Sequence, residues 1–419
     1  MNIYFFGDTF RNRLSYYKRA SRKVMNRGQK VLLLLPDHTK VEYARQFFPE
    51  NSPDLIIGTR SALFSPLENL GLIILDEDDH FAYFEERSPF FHAKTIALKI
   101  ARSQNWPLLI GNLIPTIATL SLIQSKKAKV LKEINFQTFP PLLVKKLYSE
   151  EKEFLSAGTI SLLKKSVEER QKIAFIIPRL ENYFFVCRDC GFFAQETPLP
   201  LVCPKCQGNN LKTKNSGRAD WQNYLKEKLG KEATNIQIEN KKILTSPEVT
   251  YDTVVVPAND WLFSLPDFRL SESLLFFYLK LWEKTKKNLI LETQTENPLL
   301  EALKKRNPGE AISKILQERK ELFFPPFSSL IRLLGQESGE EKLKKEGEKI
   351  YQGLLSAGIE SACFEIFPAA PCEHRQKRGK YRWQIVLKIK PGKETGVKKT
   401  LLKIVPTSWK IMVDPLNLM

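Results

Sequence analysis

The chain has 419 residues, 42% of them hydrophobic, and carries 65 lysines and arginines against 47 acidic residues, a formal charge of +18. That length provides two or three domains with sizeable cores. No apolar run reaches the roughly 18 residues a membrane span needs, and the first residues lack the basic flank and cleavage site of a secretory signal, so the expected location is the cytoplasm. The basic excess favours polyanionic partners, nucleic acid before membrane, although Lys- and Glu-rich surfaces are also simply solvated faces.

Residues 1 to about 50 read as strand, turn, helix, strand: Asn2 to Phe6, a loop at Gly7-Asp8-Thr9, a basic helix through Tyr16 to Met25, and a strand from Lys30 to Pro36. A phosphate-cradling loop would sit at that first turn. It would need glycines, a lysine and a Ser/Thr hydroxyl for Mg²⁺, and the turn offers Phe10, Asn12, Arg13 and Leu14 instead. A short buried strand follows from Asp54. Then Leu70 to Leu75, unbroken Leu, Ile and Gly, stops at Asp76-Glu77-Asp78-Asp79. A continuous apolar run is the mark of a parallel strand covered on both faces, and ligands sit beyond the carboxyl ends of such strands. Asp76 and Glu77 are the candidate catalytic carboxylates, able to hold Mg²⁺ beside a nucleotide phosphate; the alternative is an acidic loop that caps a helix or faces water.

Trp106 to Gly111 is the next strand, ending at Asn112, and helices at Thr95–Arg102 and Thr116–Gln124 complete a βαβ series. Residues 125–141 read as a linker. A second α/β unit has helices at Ile160–Arg170, Trp221–Leu229 and Glu272–Lys284, with strands at Ile173–Ile177, Lys242–Thr245, Thr253–Val256 and Asn288–Glu292. From Ala311 the pattern changes to an α+β domain.

Two Cys-x-x-Cys turns, Cys187/Cys190 and Cys203/Cys206, stand twelve residues apart. Gly191, Pro204 and Gly208 supply tight turns, and four thiolates so spaced suit one structural Zn²⁺. The alternative is two unrelated reduced pairs. A closed four-cysteine site would stabilise a loop instead of catalysing. Cys363 and Cys372 read as ordinary thiols.

With these residues in order, the chain resembles the primosomal protein N-prime family, the PriA replication-restart helicases. The resemblance rests on Gly58 to Phe64, Asn69 to Ile74 leading to Asp76-Glu77, Tyr83 and His92-Ala93, Ser264 to Arg269, Glu318 to Lys320 with Pro325 to Ser328, and Arg378 to Gln384. It implies two RecA-like lobes with parallel sheets at 1–125 and 126–310, a zinc-binding insertion in the second lobe at about 184–212, and a C-terminal α+β domain at 311–419. It also implies replication restart, forked or single-stranded DNA as partner, contacts with single-strand-binding protein and other primosome components, and association with the nucleoid. Family members carry eight cysteines for two zinc ions, so this chain retains one site.

The departures concentrate on ATP chemistry. Gly7, Thr9 and Arg13 form a degenerate nucleotide loop: Arg13 stands where the family has Lys, and Leu14 where it has Thr. Asp79 replaces a His, Asn112-Leu113-Ile114 replaces Ser-Ala-Thr, and Glu283-Lys284 with Lys286-Lys287 replace the Gly-Arg pairs. Phosphoryl transfer is positioning and electrostatics by these groups, so the expectation is an ATPase-dead adaptor that binds DNA, truncated before the first helicase strand. An active divergent 3′–5′ helicase and a scaffold that does not bind DNA are the alternatives. Arg60, Lys380, Tyr381, Arg382 and Trp383 are the candidate DNA contacts; Tyr381 and Trp383 either stack bases or belong to a strand with Trp383 in its core.

Overall fold

The structure, a computed structural model, describes residues 2–48, 52–85, 90–147, 154–177, 183–187, 189, 190, 193–195, 202, 203, 205–215, 218–230, 233, 236–258, 260, 267–377 and 379–415. Ser264 to Pro266, Arg378, Gly191 and Pro204 therefore lie outside the described residues. Met1–Ile134, Phe263–Phe276 and Asn307–Met419 form one compact unit, and Asn135–Leu262 with Phe277–Arg306 form the other.

The first unit opens with the apolar runs, which pair into an all-parallel sheet. Its strands are β1 (Ile3–Gly7), β2 (Lys30–Leu34), β3 (Leu55–Gly58) and β4 (Leu70–Asp76), then, after a two-stranded ribbon of β5 (Phe84–Glu85) and β6 (Phe91–His92), β7 (Leu108–Asn112) and β8 (Lys129–Lys132). The order is β3-β2-β4-β7-β1-β8, and all seven residues of the central β4 are buried. Helices α1 (Phe10–Met25) and α2 (His38–Phe47) cover one face, packing Phe10, Leu14, Tyr17 and Val41 with Val31, Leu33, Ile74 and Leu109. On the other face α3 (Ala93–Ser103) brings three alanines against Leu32, Ile73, Leu75 and Ile110. Helix α4 (Ile117–Gln124) is capped by Thr116, whose hydroxyl accepts from the Thr119 N–H. The sheet's last strand, β8, falls within the stretch read as a linker, so the first lobe runs past residue 125.

The second unit holds another parallel sheet, ordered β14-β10-β15-β16-β9. In chain order its elements are β9 (Leu142–Lys146), α5 (Ala157–Glu168), β10 (Ile173–Ile176), the inserted strands β11 (Tyr183–Cys187), β12 (Phe193–Gln195) and β13 (Leu211–Asn215), α6 (Arg218–Leu229), β14 (Gln237–Glu239) and β15 (Tyr251–Val256). Then come α7 (Leu270–Glu283), which crosses the division between units, β16 (Thr285–Thr293) and α8 (Pro298–Lys304). Lys241–Thr245, which takes in the strand expected at Lys242–Thr245, is a 3₁₀ turn. The Asn240 carboxamide accepts from the Lys242 N–H and the Thr245 hydroxyl donates to the Lys242 carbonyl, and these local bonds outcompete a sheet ladder.

The C-terminal residues return to the first unit. After α9 (Pro308–Glu321) come β17 (Ser329–Glu337), α10 (Glu340–Ser356), β18 (Cys363–Ile366), β19 (Ala370–Lys377), β20 (Lys380–Ile389), α11 (Glu394–Ile404) and β21 (Trp409–Val413). Their sheet is antiparallel, β18-β20-β17-β21 with β19 also on β20. The C-terminal sheet and its helices are α+β, and the chain as a whole is α/β with two parallel sheets. Among the described residues, no helix is long and apolar enough to cross a membrane.

Candidate nucleotide site and metal centre

The end of β4 is where the first sheet concentrates its charge. Asp76 and Glu77 are buried, 0% and 3% exposed, and such carboxylates require a cation or several donors close by. Arg13, on the first turns of α1, supplies one. Its guanidinium lies across Asp76 as a fork, Nε to Oδ1 at 2.6 Å and Nη2 to Oδ2 at 3.1 Å, and its Nη2 reaches Glu77 at 3.5 Å. Nη1 donates to the Asp8 carbonyl at 2.5 Å. Arg13 is itself 1% exposed.

Two residues that the sequence did not single out complete the cluster. Lys40 of α2 pairs with Glu77 at 2.5 Å, and the Tyr17 hydroxyl donates to Asp76 Oδ1 at 2.5 Å. Burial first, and then the Asp76 charge, push the Tyr17 phenol well above its usual range, so it stays a donor. Gly111 makes room for this contact, since a Cβ there would overlap the Tyr17 hydroxyl. Tyr83 donates to the Asp76 and Leu34 carbonyls. Glu77 takes a left-handed backbone, φ 50°, and its N–H bonds the Gly111 carbonyl at 2.7 Å.

The next two carboxylates are held as firmly. Asp78 accepts from Lys94 at 2.5 Å, Thr119 at 2.6 Å, Thr116 at 2.7 Å and Asn112 at 3.0 Å. Burial works to raise this carboxyl, and the Lys94 charge together with the hydrogen bonds outweighs it, leaving the group below its usual range. Asp79 accepts from the same Asn112 carboxamide at 2.9 Å. Asn112 thus ties the end of β7 to the acidic loop.

At the expected nucleotide loop, the start of α1 faces a carboxylate of its own chain. Asp8 Oδ1 accepts from the Thr9 N–H at 2.8 Å and from Asn12 at 3.0 Å, and Lys132 of β8 pairs with Oδ2. A phosphate at a helix start needs free N–H groups and positive potential, and a magnesium ion needs carboxylate oxygens open to it. Here a carboxylate stands at the first position and a guanidinium with an ammonium at the second, while Leu14, in the hydroxyl's place, is core. These residues do not fit a magnesium nucleotide. In the second unit Lys284, expected to replace part of an arginine motif, is buried and donates to the Ser246 and Val249 carbonyls.

The other candidates separate. Arg60 binds Glu85 at 2.8 Å and the Ala82 carbonyl at 2.9 Å, with a third of its side chain exposed. His92, its ring tilted against Phe84, is pushed down to about 3 by burial and then by the Lys94 and Arg269 charges, so it is neutral. On β20, alternation puts Tyr381 and Trp383 on the core face, with Trp383 8% exposed opposite Gly335 and its Nε1 donating to Glu340. Trp383 is therefore a core residue and not a base-stacking platform. Lys380 is exposed, and Arg382 is half-buried on the opposite face.

The four cysteines converge at the end of β11 and the loop before β13. All four sulfurs lie within 4.8 Å of one another and could hold a metal ion. Cys187 to Cys206 is 3.5 Å and Cys190 to Cys203 is 3.7 Å, close to the roughly 3.8 Å between thiolates around a tetrahedral ion bonded at about 2.3 Å. The turn is built for this: the Gln207 N–H bonds the Cys203 carbonyl, the Cys203 N–H bonds the Gly208 carbonyl, and the Lys205 N–H points at Cys203 Sγ at 3.4 Å. A Cβ on Gly208 would collide with the Asp189 carboxylate and crowd Cys206 Sγ.

Comparison with known proteins gives a consistent picture. The family model described as the primosomal protein N C-terminal domain matches residues 320–416. The replication restart protein PriA of Bacillus subtilis is 24% identical over 417 residues, 84% of this chain and 51% of the relative. That of Synechocystis is 24% identical over 87% of this chain and 53% of the relative, and that of Haemophilus influenzae 25% identical over 80% and 54%. The chain spans about half the length of these curated relatives. Among solved structures, the helicase MrfA bound to DNA and AMPPNP is similar over 74% of this chain and 48% of its own, at 10% identity and a TM-score of 0.41.

Proposed function

We propose that this chain is a member of the PriA replication-restart family, which it resembles over most of its length, and that it acts in replication restart as a DNA-binding adaptor and hydrolyses no ATP. The observation that carries the proposal is the Arg13 guanidinium seated on Asp76 within a buried, internally neutralised cluster. Metal-assisted phosphoryl transfer depends on those carboxylates being turned toward the ion. An arginine in their grasp supplies the charge that the ion would have brought, and Arg13 does not yield its place cheaply, because its departure leaves buried carboxylates behind. Asp76 and Glu77 become structural residues in this reading.

The family and the +18 charge support forked or single-stranded DNA as the partner. Single-strand-binding protein and other primosome components are proposed as further partners on the same family ground. Zn²⁺ is the proposed occupant of the four cysteines, where it would fix the inserted loop as a rigid presenting element.

Labelled forked DNA titrated with the purified chain, with and without magnesium ATP and at two salt concentrations, tests the reading. Binding is expected in both nucleotide conditions alike, with log affinity falling linearly with log salt at a slope of several units. Affinity weaker than about 100 μM at low salt, the weak edge of non-specific binding, would leave only a scaffold that contacts proteins. Tight binding that requires ATP would return the chain to the helicases.

A further inference from the structure

From Thr9 to Pro36 the sequence contains eight lysines and arginines and no acidic residue. Most of this stretch is α1, and its apolar side is fully used: Phe10, Leu14 and Tyr17 are core. What it turns outward is basic. Arg11, Arg19, Arg22 and Lys23 are exposed, and at about 100° per residue they share one arc of roughly 120° along a helix about 24 Å long. Arg27, exposed in the turn that follows, prolongs the row.

The face continues onto the edge strand. Lys129 and Lys132 of β8 stand in register beside Tyr4 and Phe6, whose side chains face the α1 side of the sheet, so both lysines are presented on that side. Lys132 lies over the Phe6 ring, Phe6 stacks on Tyr16 at 4.0 Å, and the Arg19 guanidinium lies over Tyr16 at 6.0 Å. This chain of contacts joins the two basic rows. Lys132 keeps half its side chain exposed beside Asp8. An ordinary solvated helix looks different: α10 intersperses Lys342, Lys344, Lys345 and Lys349 with Glu340, Glu341, Glu346 and Glu348.

We propose that the outer face of α1, extended by the edge of β8, is a docking surface for the phosphate backbone of duplex DNA. The inference rests on the DNA-binding reading above and assigns it a place. An anionic membrane is disfavoured because the helix has no apolar side left to insert. A single strand is disfavoured because such binding gains from stacked bases, and Tyr16, the aromatic ring of α1 beside this row, is already held between Phe6 and Arg19. A duplex presents about one charge per 1.7 Å, dense enough to meet a rigid row of cations without base contacts.

The test compares two variants of the full chain with equal loss of charge. One combines Arg11→Gln, Arg19→Gln, Lys23→Gln and Arg27→Gln. The other combines Lys344→Gln, Lys345→Gln, Lys349→Gln and Lys399→Gln, all exposed and distant in sequence. Blunt labelled duplex of arbitrary sequence, a labelled single strand of the same length and vesicles of phosphatidylserine with phosphatidylcholine are each titrated across a salt series, with thermal melting as the check on folding. The α1 variant is expected to bind about tenfold or more weakly, with a log–log salt slope shallower by about 3 units, while the second variant changes little. The pair Arg11→Gln and Arg27→Gln, at the two ends of the row, should give about half that slope change, and it decides the matter if the fourfold variant melts early. Equal losses in the two variants would reduce the effect to net charge and overturn the proposal. So would a loss confined to single strands, or α1 binding anionic vesicles in preference to duplex. If the unaltered chain binds no DNA of any form, the DNA-binding reading itself has failed, a result separable from each of these.

Discussion

Replacing Arg13 by alanine is expected to lower the melting temperature by about 10 °C or more, because removing one partner of a buried ion pair costs roughly 3–5 kcal/mol. Asp76 would lose its cation and keep the Tyr17 hydroxyl, and Glu77 would keep Lys40, both carboxylates remaining buried. Arg13→Lys retains the charge and loses the fork, so it should fall between. The double variant Arg13→Met with Asp76→Leu should recover part of the loss, since an apolar pair removes both desolvated charges together. Thermal melting of the four proteins reads the series. A single Arg13→Ala variant that melts with the parent would mean that the cluster is not the neutralised core described here.

The second large effect concerns the cysteines. One zinc per chain is expected on metal analysis, and Cys203→Ser should release it. Structural zinc in small loops contributes about 10–16 kcal/mol of apparent binding free energy at neutral pH, and three thiolates cannot close a tetrahedral site. The inserted strands β11, β12 and β13 form their own small sheet, so the damage should stay local. Proteolysis should cut the insertion while the parallel sheet of the second unit, with its separate core around Phe175, Trp221 and Val255, stays folded. A stoichiometry of zero or two zinc ions would contradict the assignment.

The elements legible in the sequence were those with short-range signatures. Unbroken apolar runs marked β1, β2, β4 and β7, and the paired Cys-x-x-Cys turns marked the metal centre, because both signals lie within a few neighbouring residues. The edge strand β8 reads as a linker in sequence: its four residues are all exposed, so no burial pattern distinguishes them from a basic loop. Trp383 carried two readings, and the partner strand decided between them by placing it over Gly335.

The composition of the acidic site was only half visible. Asp76, Glu77 and Arg13 were named from the sequence, but their pairing spans 63 residues, and Lys40 meets Glu77 across 37. Lys40 and Lys94 sit on helices otherwise unremarkable in sequence. The usable signal was charge balance: four carboxylates at the end of a fully buried strand demand cations, and lysines early in the neighbouring helices α2 and α3 were the places to look.

The direct measurement for the central claim is ATP turnover by the purified chain at physiological Mg²⁺, with and without forked DNA, alongside its Asp76→Ala variant. With Arg13 and Lys40 holding the carboxylates, the expected result is no turnover above background in any of these conditions. Turnover faster than about 0.1 s⁻¹, itself well below the typical enzyme range, and abolished by Asp76→Ala, would contradict the account, because it would require those carboxylates to be serving a metal ion and not an arginine.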